Sequence, residues 1–179
     1  LQVDISTQKR YSEFRLQQGR KGSGAMSRKI DKFRGEYYFL SNFYPAHVEY
    51  DGIVYKNNEA AFQAQKCARQ EDKKQFANID DPVIAKRLGA KVLLRRDWES
   101  VKLSIMKDIV KAKFVQNPEL ARKLLETKDA YIEEGNTWSD RFWGTYLGEG
   151  QNHLGKIIME VRSELQKEMM KAKQYTIER

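Results

Sequence analysis

"HVEYDGIVYKNNEAAFQAQK", residues 47–66, decides how the rest of the chain is read. Asp51-Gly52 stands between two short runs of alternating apolar and polar residues, the signal of a β-hairpin with a tight turn. The periodicity then changes. From Asn57 the pattern is helical, with Asn57 or Asn58 as N-cap and Glu59 in the first turn, where an acid suits the helix dipole. This helix is expected to reach about Gln70. Its apolar face is nearly all small: Ala60, Ala64, Cys67 and Ala68. At roughly 100° per residue, Glu59, Gln63 and Lys66 fall within about 60° of one another, beside that face. Phe62 lies on the far side, so the polar stripe runs between two surfaces that want burial. A stripe of acid, amide and amine is ordinarily a solvated surface. Here it also reads as a pocket wall, because a lysine buried there would lose proton affinity and become a nucleophile.

The hairpin and helix are followed by four further helical segments. "DPVIAKRLG" has Asp81 as N-cap, Pro82 at the first helical position and Gly89 at the end. "DWESVKLSIMKDIVKAKFVQN" starts at an Asp97 cap and repeats Trp98, Val101, Ile105, Ile109 and Ala112 at helical spacing. "NPELARKLLETK" buries Leu120, Leu124 and Leu125. "AYIEEG" reads as a strand. After the glycine-rich "GEGQNHLG", Asn152 is the expected cap of a last helix. No repeat of 20–50 residues is present. The fold class is mainly α, of the α+β type: one helical domain with a small β-hairpin or sheet, over residues 26–179, its core at about 31–166.

With 179 residues, 40% hydrophobic and 11% aromatic, the chain suits one domain with a sizeable core. No apolar run approaches the ~18 residues of a membrane helix, and the N-terminus carries no secretory pattern. One cysteine, Cys67, excludes an internal disulfide framework, and two histidines cannot make a typical zinc cluster. The expectation is a cytoplasmic monomer without metal or cofactor. The net charge of +8 is uneven. Residues 1–35 hold nine basic residues against three acids, leaving about +2 for the rest. Such a tail suits nonspecific contact with nucleic acid, or solubility. "GRKGSGAM" is linker-like, so residues 1–25 are expected to lie outside the fold, either as a basic extension or as residues not native to the protein.

Three further clusters carry chemistry. "WSDRFWG" sets Trp138, Phe142 and Trp143 around Asp140. Aromatic faces stack on bases and sugars, and an acid among them can serve proton transfer, though an aspartate in a loop also commonly caps a turn. "GEGQNHLG" precedes a helix start, where free amides bind anions, but it matches no dinucleotide-binding or P-loop spacing. Arg95 and Arg96 stand before another helix and are a second phosphate candidate. No nucleophile elbow or histidine triad appears. The residues alone give a helical domain with an acid, amine and aromatic pocket for a ligand with a ring and a phosphate.

"FRGEYYFLSNFYPAHVEYDGIVYKNNEAAFQAQK" resembles the opening of the YbiA-like, or NADAR, family. "DPVIAKRLG", "RRDWESVKLSIMKDIVKAKFVQN", "LLET", "WSDRFWG" and "GQNHLGKIIMEVR" follow in the family's order, over about residues 31–165. The resemblance implies a compact, mainly helical fold and cleavage of N-glycosidic bonds. One branch of the family hydrolyses phosphorylated ribosylamino-pyrimidine intermediates of riboflavin synthesis. Another removes ADP-ribose from guanine in nucleic acid, in some systems as antitoxin to a DNA-modifying ADP-ribosyltransferase. Matched motif by motif, Glu59 and Lys66 are the acid and lysine of the "E…QAQK" segment, and Lys66 is the residue for a Schiff base on the opened sugar. Glu59 or Asp140 would be the proton donor. Arg34, Gly35, Ser41, Asn42, Phe43, Gln63, Arg95, Trp98, Trp143, Gly144, Asn152 and Gly155 would bind substrate. In that set Trp98, Trp143 and Phe43 would stack on rings, and Arg34, Arg95 and the Asn152–Gly155 amides would hold phosphate. The sequence departs from the pattern at Asn58 and Ala60, where many relatives carry Ser or Thr and an aromatic or His; neither change removes a catalytic group. The expected partner is ADP-ribosylated nucleic acid, ahead of a ribosylamino-pyrimidine phosphate. A noncatalytic nucleic-acid-binding module and a pocket that only binds ADP-ribose are the competing classes.

Overall fold

Asp51 and Gly52 both take positive φ, 53° and 73°, as a two-residue hairpin turn of the primed type requires. They join β2 (Pro45–Tyr50) to β3 (Ile53–Asn57), paired antiparallel with Val48 opposite Tyr55 and Tyr50 opposite Ile53. Val48 and Tyr55 are fully buried, so one face of the hairpin is core. The computed structural model describes residues 28–177. The basic extension over residues 1–25 lies outside the described residues.

Helix α1 (Asn58–Ala64) follows β3 directly. Asn57 is its cap: Oδ1 accepts from the Ala60 amide at 2.8 Å. Every residue of α1 is buried, Ala60, Ala61 and Ala64 completely. The alanines let the β-hairpin, α2 (Pro82–Gly89) and α3 (Trp98–Gln116) crowd onto this one short helix. The helix stops six residues short of the expected end at Gln70. Gln65, Lys66 and Cys67 continue in tight i→i+3 turns, with N–H bonds to Phe62, Gln63 and Ala64. Beyond them the backbone pairs elsewhere: Lys66 O accepts from Arg95 N, and Ala68 N donates to Leu93 O, both at 2.9 Å. A long-range pairing has taken the groups that helix continuation would have used.

Among the described residues the β content is three two-stranded ladders. β1 (Lys29–Ile30) runs parallel to β4 (Tyr131–Ile132), and β5 (Gly135–Asn136) parallel to β6 (Thr145–Tyr146). "AYIEEG" thus gives two very short strands rather than one. Two 3₁₀ turns, Gly35–Leu40 and Glu71–Phe76, have no periodic signature. Asp81 caps α2 by accepting from Val83 N at 2.8 Å. Asp97 precedes α3 but does not cap it with its side chain, which is held by Arg95 at 2.6 Å. α3 buries Trp98, Ile105, Met106, Ile109, Val110 and Phe114 and packs on the hairpin, α1, α4 (Pro118–Glu126) and α5 (His153–Ile177). Lys113 is also fully buried there. Its ammonium donates to Phe39 O and Ser41 O at 2.7 and 2.9 Å, closing the 3₁₀ turn that leads into the Ser41–Phe43 segment. Burial, with no counter-charge among the described residues, brings its pKa down to about 7. Among the described residues no helix is long and apolar enough to cross a membrane.

Candidate active site

One cavity of about 270 Å³ opens where α1, α2, α3 and the 134–143 loop meet. α1 supplies Glu59, Phe62 and Gln63, and the tight turn after it supplies Lys66. Lys66 is therefore not on the helix. The 3₁₀-type turns after Ala64 bring it round to the same wall as the helical Glu59 and Gln63. Trp98 and Lys102 come from α3, Lys86 from α2, and Glu134, Trp138, Asp140 and Trp143 from the loop.

The aromatic side chains form a connected wall. The Phe62 ring stands 5.0 Å from Trp98 and 5.3 Å from Trp143, and Trp143 stands 5.0 Å from Phe142. The Lys66 ammonium lies 5.8 Å from the Trp98 ring centre. This amine is half-buried, and burial lowers its proton affinity against the opposing pull of Glu59. Glu59 is buried, and its carboxyl accepts from Gln63 Nε2 at 2.7 Å. Desolvation raises its pKa; Gln63, Lys86 and Lys66 pull the other way. Burial thus pushes the acid up and the amine down within one cavity, favouring the uncharged form of each relative to water.

Gln63 is itself held by a close approach. Its Oε1 has no hydrogen-bond partner among the described residues and occupies the space where a side chain on Gly89 would go, 2.0 Å from the ideal Cβ position. Gly89→Ala should therefore push Gln63 off Glu59. We expect a loss of about 1–3 kcal/mol from overpacking, partly offset by better helix propensity, together with a drop in turnover. Denaturant unfolding and an activity assay on the same sample check it.

Of the residues singled out in the sequence, the cavity brings together Glu59, Gln63, Lys66, Ser41, Asn42, Phe43, Trp98, Asp140 and Trp143. Asp140 is also a turn residue: its Oδ1 accepts from the Phe142 and Trp143 amides, each at 2.9 Å. Arg34, Gly35, Arg95, Gly144, Asn152 and Gly155 do not contribute to the walls. Arg95 is paired with Asp97. The amides expected to hold phosphate are already used: Asn152, His153 and Leu154 donate to the carbonyls of Gly144, Phe142 and Trp143. Asn152 does not cap α5 with its side chain either, because its Oδ1 accepts from Glu134 N and its Nδ2 donates to Ile132 O. The sequence pattern did not single out Lys86, Lys102 or Glu134. The two lysines sit unremarked inside helical segments. Glu134 has a signal: were "AYIEEG" one strand, Glu133 and Glu134 would point to opposite sides, so one of the two acids would face the protein if the strand packed on it.

The NADAR domain family matches residues 30–166. The N-glycosidase YbiA of Escherichia coli (strain K12) is 36% identical over 133 residues, covering 73% of this chain and 82% of that one. A riboflavin biosynthesis protein of Vibrio vulnificus (strain YJ016) is 37% identical over 131 residues, covering 72% of this chain and 35% of that one, so the chain spans about a third of its length. The NMR structure of E. coli YbiA superposes with a TM-score of 0.71 at 34% identity, covering 82% of this chain and 90% of that one. The architecture is accordingly the YbiA-like α+β fold. With the family's segment spanning nearly all of the core, this chain belongs to the NADAR family.

Proposed function

We propose that this chain hydrolyses an N-glycosidic bond, removing ADP-ribose from ADP-ribosylated guanine in nucleic acid. At the level of its family it is an N-glycosidase-type enzyme, in keeping with the names of its relatives. The observation that carries the reading is the pairing of a desolvated carboxyl, Glu59, with a desolvated amine, Lys66, on one cavity wall beside Trp98.

The C1 of an N-linked ribose is at the aldehyde oxidation level. Glu59 would give its proton to the ring oxygen as the C1–O bond opens, with the nitrogen lone pair forming an iminium at C1. The Lys66 amine would add to C1 with its lone pair, and the ammonium so formed would return one proton to the Glu59 carboxylate. Departure of the base nitrogen, with the electron pair of its C1–N bond, would leave the sugar as a Schiff base on Lys66. Water adding to that imine would return the free amine and the sugar aldehyde. Phe43, Trp98 and Trp143 would stack on base or sugar. The cavity has room for a sugar and one ring system, so the remainder of a larger substrate would lie outside it.

Charge supports a polyanionic substrate. Residues 82–96, which border Lys66 and include Lys86, hold five basic residues and no acid. A ribosylamino-pyrimidine phosphate is the second reading. It is favoured by the relatives named for riboflavin biosynthesis, and Lys86 at the cavity would suit its phosphate. The test is an oligonucleotide carrying ADP-ribosylated guanine, with released ADP-ribose followed by mass spectrometry. Release by the wild type, lost in Glu59→Ala and Lys66→Ala, is the expected result. Absence of release moves the assignment to the small phosphate substrate, and failure with both leaves a binding module.

A further inference from the structure

Residues expected to touch substrate instead converge on one short piece of backbone. Asn152 sits in the left-handed region, φ 51°, and is almost fully buried. Its amide is used twice on that piece, accepting from Glu134 N at 3.0 Å and donating to Ile132 O at 2.9 Å. Glu134 O accepts from Thr145 N at 2.9 Å. Gly144 lies so close that a Cβ there would stand 2.1 Å from Glu134 O, and a Cβ on Gly155 would stand 2.3 Å from Ile132 O. The neighbouring Glu133 points the other way and is spent on Lys29 at 3.0 Å and Thr145 Oγ1 at 2.8 Å. What this clamp presents to the cavity is the Glu134 side chain. Its carboxyl has no hydrogen-bond or ion-pair partner among the described residues, a costly way to place an acid unless a ligand uses it.

We propose that Glu134 is the acid that protonates the departing nitrogen, and that Gly144, Asn152 and Gly155 are positioning residues that hold it. This rests on the N-glycosidase reading above and supplies what that reading lacks. Ring opening and base departure need protons on two different atoms, the ring oxygen and the base nitrogen. Glu59 adjoins Lys66 and serves the first. Glu134 serves the second: its proton goes to the base nitrogen as the C1–N pair leaves with that nitrogen. Its carboxylate then takes a proton from the water that adds to C1 of the Lys66 imine, which restores the acid. The surroundings suit this cycle. Burial, with the charges of Asp140 and Glu59, raises the Glu134 pKa to about 8, while Lys86 opposes. The group therefore stands protonated before the step and can still release its proton near neutrality.

The test combines kinetics with a direct titration. In Glu134→Gln the fold should be kept and kcat should fall about 10²-fold or more, with KM within about threefold. The ¹³C carboxyl resonance that this variant removes should titrate near pH 8 in the free wild type. Asn152→Ser should lower kcat and move that midpoint, and adding it to Glu134→Gln should cost little more, since both act through one carboxyl. Retention of more than about a third of wild-type kcat by Glu134→Gln, or an ordinary carboxylate midpoint near about 4.3, overturns the proposal. Additive losses in the double variant overturn the positioning role. Wild type inactive on both N-ribosyl substrates removes the N-glycosidase reading, and the delivery step with it; an active wild type with an active Glu134→Gln sinks this inference alone.

Discussion

Lys66→Ala should lower turnover by about 10³-fold or more while leaving the fold intact. Lys66 makes no hydrogen bond or ion pair through its ammonium among the described residues; its contact is with the Trp98 ring, 5.8 Å to the centroid. Its loss therefore opens the cavity without stranding a buried partner. The effect should fall on kcat rather than KM, because the amine matters after the sugar is seated. Cyanoborohydride added during turnover should leave a sugar adduct on the peptide containing Lys66 in the wild type and none in the variant. The pH profile has a defined sign. Activity needs the lysine neutral and the donor carboxyls protonated, so it should fall toward acid as the amine gains its proton and toward alkali as the carboxyls lose theirs. A Lys66→Ala variant that folds and turns over at the wild-type rate would remove the covalent mechanism.

Glu59→Gln should separate activity from stability. Turnover should fall about 10²- to 10⁴-fold, since the amide cannot supply a proton. Stability should move the other way as the medium becomes alkaline. The folded pKa of Glu59 is raised above its ordinary 4.5, chiefly by burial. Its contribution to stability is therefore complete below the unfolded value and is lost as pH rises through the folded one. Glutamine fills the same space and never ionises. The variant should therefore gain on the wild type as pH rises above the ordinary glutamate range and through the raised folded value. Thermal or denaturant unfolding at several pH values checks this. A constant difference between the proteins across that range would show that Glu59 is not a desolvated acid.

Several corrections share a cause. Asn152 has the position of a helix cap and the neighbours of an anion site, yet its amide reaches two carbonyl- and amide-bearing residues some twenty positions earlier. Arg95 has the position of a phosphate ligand, and a carboxylate two residues on holds it. Asp97 has the position of a cap and spends its oxygens on that arginine. In each case the local pattern assigns a polar side chain to the nearest use along the chain. In a folded chain buried polar groups go to whichever partner packing brings within reach.

The local devices, by contrast, are legible in the amino-acid order alone. Asp51-Gly52 needs positive φ and takes it. Asn57 and Asp81 have side chains short enough to reach amides two or three residues on, and do so. Ala60, Ala61 and Ala64 give α1 a surface that several elements approach closely. Each is written within a few residues, because turn geometry, capping and periodicity depend on neighbours along the chain. Where α1 stops, which carboxyl joins Glu59, and what the 144–155 motifs hold are decided only in three dimensions. Glu134 lies 75 residues from Glu59 in sequence, and nothing local to "AYIEEG" says which of its two acids turns inward. That choice is made where Lys29 and Thr145 take Glu133 and the Asn152 clamp fixes the backbone beneath Glu134, so the proton chemistry of this cavity is a property of packing.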